Sequence, residues 1–132
     1  GMDISLVQID LLTLKTKWAG AHNPFWYVRD SVLFETKANP QPIGFYVELN
    51  PFTEHEIQLQ KGDCIYLFTD GFADQFGGPK GKKFRSKNLA ELVRSIASLS
   101  AEEQRAAIVK VFQEWKGSYD QIDDVTILGM KV

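Results

Sequence analysis

An α+β fold with a mostly antiparallel sheet is predicted by three features of this sequence. About six short apolar or alternating runs fill the first half, before any helical periodicity appears. Two amphipathic helical patterns follow. A last apolar run then closes the chain as a strand.

The runs can be justified in order. Ile4 to Leu12 is apolar on both parities, so it is expected to be a central strand. Leu14, Thr16 and Trp18 alternate with Thr13, Lys15 and Lys17, the pattern of a half-exposed strand, with Asp10 to Thr13 as the connecting hairpin turn. Ala19 to Pro24 (AGAHNP) is expected to be an irregular loop, because Gly20 and Asn23-Pro24 are breakers. Phe25 to Val28 and Val32 to Thr36 form a second hairpin around Arg29-Asp30-Ser31. Asn39 to Gly44 (NPQPIG) is a loop, since Pro40 and Pro42 cannot serve a central ladder. Glu56 to Gln60 alternates and is expected to pair with Cys64 to Phe68 across Lys61-Gly62-Asp63.

Cys64 to Phe68 (CIYLF) is an unbroken apolar run bounded by turn residues, which reads as a strand buried on both faces. Pro79 to Lys83 (PKGKK) is expected to be a mobile basic loop. Leu89, Leu92, Val93 and Ile96 recur at the spacing of one helical face. Ser100 with Glu103 is a capping-box signature opening a second helix, whose Ile108, Val111, Phe112 and Trp115 face one way and which Gly117 stops. Val125 to Val132 is the final strand.

Composition bounds the function. The 132 residues allow one domain, and 44% hydrophobic with 24% charged residues is ordinary for a globular protein. A net charge of -2 gives no electrostatic footprint for nucleic acid or an anionic membrane, and no run approaches the length of a membrane span. The lone Cys64 excludes a disulfide framework and a zinc cluster; with no signal peptide visible, the expected setting is reduced and cytoplasmic.

Two acidic positions carry chemistry. Asp70 follows the buried strand, with Gly71 beside it allowing close approach of backbone or ligand. Asp-Gly is also a strong hairpin signal, although Phe72 to Gly78 does not alternate as a returning strand should. Asp123-Asp124 precede the last strand, where they are either a solvated turn or one half of a site. If the two strands are antiparallel neighbours, the carboxylates meet at one edge of the sheet. Like charges about 4 Å apart repel by roughly 4 kcal/mol at an effective dielectric of 20, so such a cluster needs a cation or a shared proton. Oxygen ligands without Cys or His suit Mg²⁺ or Mn²⁺.

These segments resemble a known family. KGDCIYLFTDGFADQFGG, followed after two helices by QIDDVTILGMKV, is similar to the C-terminal half of a type 2C (PPM) protein serine/threonine phosphatase, and more closely to its stage II sporulation protein E-like bacterial branch. MDISLVQID, AGAHNP and NPQPIG also resemble that branch, so the resemblance spans the whole chain. It implies half of an αββα sandwich, and a phosphatase of phosphorylated proteins holding two Mn²⁺ or Mg²⁺ ions. Asp70 and Asp123 are implied as metal ligands and catalytic residues, with Gly71 at the metal and Asp124 supporting; Asp74 falls where the branch often has an acid. The Gly-Asp and Asp-x-x-Gly-His-Gly-like motifs of the upstream half find no match in residues 1–60.

The expectation is therefore a single partial domain over 1–132, poor or inactive alone, from a bacterial signalling protein with upstream sensory or regulatory domains. The competing expectation is a non-catalytic phosphatase-like module that binds a protein partner. A different phosphotransfer fold, phosphorylated on Asp70 itself, has the wrong sheet order. His22 is expected to order its loop through hydrogen bonds, with proton transfer as the alternative role, and His55 to be ordinary surface. Lys80, Lys82, Lys83 and Arg85 either steer a phosphoprotein or form a solvated loop. A half sandwich is also expected to expose apolar strand faces around Phe25, Trp26 and Tyr27, and hence to self-associate.

Overall fold

The computed structural model describes residues 1–45 and 47–132. Strands β1 (Ile4–Ile9), β2 (Lys15–Ala21) and β5 (His55–Gln58) form one antiparallel sheet in the order β1-β2-β5. Strands β3 (Phe25–Arg29), β4 (Val32–Thr36), β6 (Cys64–Phe68) and β9 (Ile127–Lys131) form a second, in the order β4-β3-β6-β9. Helices α1 (Gly71–Asp74), α2 (Ser86–Ile96) and α3 (Ala101–Lys116) follow β6, with a small hairpin of β7 (Phe76–Gly77) and β8 (Lys82–Lys83) after α1.

The layers follow from β6. Its alternate residues point opposite ways. Ile65 packs with Trp18, Phe25 and Leu59 between the sheets, while Cys64, Tyr66 and Phe68 pack with Trp26, Phe72, Leu89 and Val93 beneath the helices. All but Leu67 of this strand are buried, as its unbroken apolar run requires. The result is sheet, sheet, helices: three layers of the expected αββα arrangement, with antiparallel pairing throughout both sheets. Tyr66 Oη donates to Gln104 Oε1 at 2.7 Å beneath α3, and this burial pushes the phenol well above its ordinary range.

The second long helix starts and ends where the sequence says. Ser100 Oγ accepts from the Glu103 amide at 3.2 Å and Glu103 Oε1 accepts from the Ser100 amide at 3.3 Å, completing the box. The Asp30-Ser31 turn, with both φ angles positive, closes the β3–β4 hairpin.

Several expectations are corrected. β1 is an edge strand; its Leu6 and Gln8 face outward, because among the described residues no helix covers that side of the first sheet. Ala19–Ala21 of AGAHNP are strand, since they pair with Ile4–Leu6. The strand at His55–Gln58 pairs with β2 and not with β6. Lys61-Gly62-Asp63 is therefore a crossing between sheets: the Asp63 carboxylate is buried, where it accepts from Arg29 Nε at 2.9 Å, Arg29 Nη2 at 2.7 Å and the Gln60 amide at 2.8 Å. PKGKK is the tip of the β7–β8 hairpin, which is clamped to α3 by the Gly78 amide donating to the Trp115 carbonyl at 2.8 Å. Phe25 and Trp26 are buried, one between the sheets and one under the helices, while Tyr27 is half-buried and stacks on the exposed Phe34; exposed apolar residues include Leu6, Leu11 and Leu12 on the first hairpin, Val32 and Phe34 on β4 and Leu128 on β9. His55 is half-buried, its ring 5.6 Å from that of Trp18.

Candidate functional site

The strand register decides where the acids lie. β6 pairs antiparallel with β9, Phe68 opposite Ile127 and Cys64 opposite Lys131. The C-terminal end of β6 and the N-terminal end of β9 therefore share one end of the sheet. Asp70 leaves the first and Asp123-Asp124 lead into the second.

Backbone bonds continue the pairing past the strands. The Thr69 amide donates to the Thr126 carbonyl at 3.0 Å. Thr69 Oγ1 donates to the Asp124 carbonyl at 3.2 Å and accepts from the Thr126 amide at 3.0 Å. Gly71 then packs directly on the Asp124 carbonyl: a Cβ there would lie 2.9 Å from the carbonyl carbon and collide with its oxygen. That contact explains the residue after Asp70 better than a turn does. Asp70-Gly71 is no hairpin, because the chain enters α1, with the Asp74 amide donating to the Asp70 carbonyl at 2.9 Å.

Electrostatics mark the same end. Asp70 is exposed, yet its carboxyl is held above the usual carboxylate range, first by partial desolvation and then by the charges of Asp74 and Asp123, with Asp3 adding to them. Asp123 Oδ1 accepts from the Asp124 amide at 2.7 Å. Lys83 Nζ lies 3.4 Å from Asp74 Oδ1, so the β7–β8 hairpin supplies one cation to this face. Asp3 comes from the other sheet, where its Oδ1 is 2.7 Å from His22 Nδ1.

The donor chemistry suits a hard divalent ion, which takes one or two protein carboxylates and fills the rest of its shell with water and substrate oxygens. The donor count is small. Among the described residues no group of three or more His, Cys, Asp or Glu side chains is placed to hold a metal.

Two residues that hold this end together were not singled out from the sequence. Thr69 ties β6 to the Asp124 segment through its hydroxyl, and its signal was its place beside Asp70. Gln75 is fully buried, donating from Nε2 to the Asp120 and Phe76 carbonyls at 2.9 Å, while its backbone carbonyl accepts from Trp115 Nε1 at 2.9 Å. It fixes the approach to Asp123, and nothing in its local pattern announces this.

Comparison with known proteins agrees with the fold. The sequence profile of the stage II sporulation protein E (SpoIIE) family matches residues 2–132. Among solved structures, the SiaA-PP2C domain of Pseudomonas aeruginosa is 32% identical with a TM-score of 0.90, over 98% of this chain and 51% of that one. The phosphatase domain of the cell fate determinant SpoIIE from Bacillus subtilis, presoaked with Mn, is 17% identical with a TM-score of 0.67, over 98% and 56%. A structure of RsbU and RsbW domains from Mycobacterium tuberculosis is 22% identical with a TM-score of 0.76, over 98% and 35%. Among curated protein sequences none matches significantly. The chain thus spans about half the length, or less, of these structures. Among the described residues no helix is long and apolar enough to cross a membrane.

Proposed function

This chain belongs to the stage II sporulation protein E family, a family of PP2C-type phosphatase domains, and from that premise we propose that it forms the C-terminal part of a metal-dependent phosphoprotein serine/threonine phosphatase. The observation that carries the reading is the β6–β9 register, which sets Asp70 and Asp123 at one end of one sheet. Residues 1–132 are then a partial domain, with the remaining carboxylates supplied by the other half. That accords with the small donor set here and with coverage of about half of the P. aeruginosa relative.

Asp70 and Asp123 would hold Mn²⁺ or Mg²⁺, with Gly71 letting the Asp124 backbone close in behind them. Ions bound there supply charge against the phosphate oxygens and lower the pKa of a bound water. The chain's own part is positional. Thr69 and Gly71 fix the distance between the two acidic segments, Gln75 anchors the turn before Asp123, and the Lys83–Asp74 pair borders the site. The substrate class is a phosphorylated protein, in a bacterial signalling protein of the cytoplasm whose other domains regulate it. Cys64, buried under α2 and α3, takes no part.

The test is Mn²⁺-dependent release of phosphate from a phosphoserine peptide by the whole protein that carries this chain. Asp70→Asn and Asp123→Asn should each lower kcat/KM by roughly 100-fold or more, the scale of losing a group that places charge at the transition state. A whole protein that binds its partner but releases no phosphate, with both variants unchanged in binding, would leave the non-catalytic module as the function.

A further inference from the structure

The cations of this chain are unevenly spread. Lys80, Lys82, Lys83, Arg85 and Lys87 fall within eight residues, and no Asp or Glu stands between Asp74 and Glu91. In a chain of net charge -2 this is a local excess against the overall balance. A run of like charges is ordinarily a solvated, mobile loop. Here the structure departs from that in its anchoring, its free charges and its place.

The backbone of the run is anchored. Phe84, just after β8, is buried edge-on to Phe72 at 5.0 Å and to Trp115 at 5.4 Å. The Phe84 amide donates to the Gln75 carbonyl at 3.0 Å, and the Arg85 amide donates to the Ala73 carbonyl at 2.8 Å. At the hairpin tip Gly81 packs against the Tyr119 hydroxyl. A fixed backbone presents its charges already in position, which lowers the ordering cost of binding.

The charges themselves are free. All five residues are exposed. Lys83 pairs with Asp74, but among the described residues Lys80, Lys82, Arg85 and Lys87 have no acidic partner. Arg85 is also strained: its φ of 79° and ψ of 149° lie close to a region that is essentially confined to glycine. No ion pair offsets that strain, and strain of this kind collects at functional sites.

Place gives the charges a use. Asp74 lies one helical turn, about 6 Å, beyond Asp70. Lys83 Nζ reaches to 3.4 Å from Asp74 Oδ1. The cations therefore begin roughly 10 Å from Asp70, the span of about three residues of an extended peptide. A broad polyanion such as a nucleic acid or an anionic bilayer fits this face poorly, because it would also meet Asp70, Asp74 and Asp123. A peptide whose phosphate faces those acids and their divalent ions, and whose own acids lie further along, matches both halves of the surface.

We infer that the β7–β8 hairpin and the start of α2 dock an acidic segment of the phosphoprotein substrate, with its Asp or Glu residues from about three positions outward of the phosphorylated residue. This deepens the phosphatase reading above and rests on it. Lys80, Lys82, Arg85 and Lys87 select the substrate, and the reaction is left to the acidic segments.

Paired peptides test this. The two members of a pair differ only in carrying Glu or Gln at about three to six residues from the phosphoserine, before it in one pair and after it in the other. In the whole protein with Mn²⁺, KM for one of the Glu peptides should be roughly tenfold lower than for its Gln partner, a factor of about two for each exposed ion pair. The difference should shrink in high salt. Lys80→Gln, Lys82→Gln and Lys87→Gln together should remove most of it by raising KM for the Glu peptide. These lysines are exposed, so the triple variant should keep the wild-type urea midpoint. Arg85→Gly removes charge and strain together, so it should raise the urea midpoint while raising KM for the Glu peptide about twofold, a combination that a purely structural arginine would not give. A wild type indifferent to Glu or Gln in both pairs, or a triple variant that keeps the full preference, overturns the docking assignment while the phosphatase reading stands on the hydrolysis itself. Binding to phosphatidylserine vesicles that the triple variant loses, with no peptide preference, also overturns it and gives the hairpin to a membrane surface. A wild type that hydrolyses no peptide overturns the phosphatase reading and this assignment with it.

Discussion

Gly71→Ala is the substitution that most directly tests how the two acidic segments are held. The added methyl would sit 2.9 Å from the Asp124 carbonyl carbon and 3.2 Å from Val125 Cγ2, and would overlap the Asp124 oxygen. Ordinary contact begins near 3.4 Å, so the segments must part by about 0.5 Å for the carbon alone and by more for the oxygen. The two nearest atoms are both Asp124 backbone, so moving the Val125 side chain alone cannot make room. The Thr69 bonds to Asp124 and Thr126 must stretch with the movement. Overpacking of this kind costs about 1–3 kcal/mol, and Gly71 does not have a positive φ that would add backbone strain. Urea denaturation of this chain should show that loss as a lower midpoint with an unchanged m-value. In the whole protein, displacement of Asp123 relative to Asp70 should lower kcat/KM for a phosphoserine peptide, by up to about 100-fold for a shift near 1 Å. A Gly71→Ala chain within about 0.5 kcal/mol of wild type and with full activity would mean that α1 and the Asp124 segment are not in contact, and the site as described would be wrong.

Three further outcomes can be measured. In metal-free protein, Asp70→Asn should raise the unfolding midpoint at neutral pH: the folded carboxyl binds its proton more tightly than an ordinary carboxyl at 3.8, so its ionised form opposes folding above the raised pKa and that cost vanishes below 3.8. The gain should shrink in high salt, because Asp70 is exposed. Arg29→Ala should cost about 3–5 kcal/mol by stranding the buried Asp63 carboxylate, and Arg29→Ala with Asp63→Asn together should recover part of it. Burial alone would raise the Asp63 pKa, but the Arg29 and Gln60 hydrogen bonds outweigh it and hold it below its ordinary value, so this ion pair contributes stability above the unfolded pKa that is lost as pH falls through the folded one. Ser100→Ala should remove the cap of α3 for about 1 kcal/mol, read by thermal unfolding.

What the sequence made legible was whatever local pattern determines. The α3 cap lies within four residues, the Asp30-Ser31 turn within two, and the double-faced burial of Cys64–Phe68 within one apolar run. Each agrees with the structure because the physics acts over that same span. The strand at His55–Gln58 was misassigned because alternation of Ile57 and Leu59 fits either sheet, and a short polar turn favours the sequence neighbour. What decides against the neighbour is Asp63, buried against Arg29, a partner 34 residues away. Phe25 and Trp26 were expected at an open surface on the view that a half sandwich lacks its filling. In fact Phe25 and Trp26 are covered by this chain, one by the first sheet and the other by the helices, and the apolar exposure lies on the first hairpin and on Val32 and Phe34 of β4. At the candidate site, Asp70 and Asp123 could be proposed from the sequence, while Thr69 and Gln75 could not, because what they contribute is hydrogen bonds to the segment across the α2–α3 excursion.

That excursion has a consequence for how the site is made. Asp70 and Asp123 share one end of the sheet through the β6–β9 ladder, and β9 is the outer strand of its sheet among the described residues. Local propensity cannot place them; the ladder closes over the α2–α3 hairpin, whose Leu89, Val93 and Phe112 pack with the helix-facing residues of β6. Loop-closure entropy makes such non-local pairing late to form. β9 is then the element on which the site is most exposed to loss: its Leu128 side chain is 53% exposed, and the next strand position beyond it is open within the described residues. An open apolar edge of this kind recruits another strand, so its covering by the remainder of the proposed phosphatase domain and self-association of this chain are competing solutions to one problem. The two acids sit at the end of that same strand. Whatever pairs with β9 therefore bears directly on the spacing of Asp70 and Asp123, and through it on the activity proposed for them.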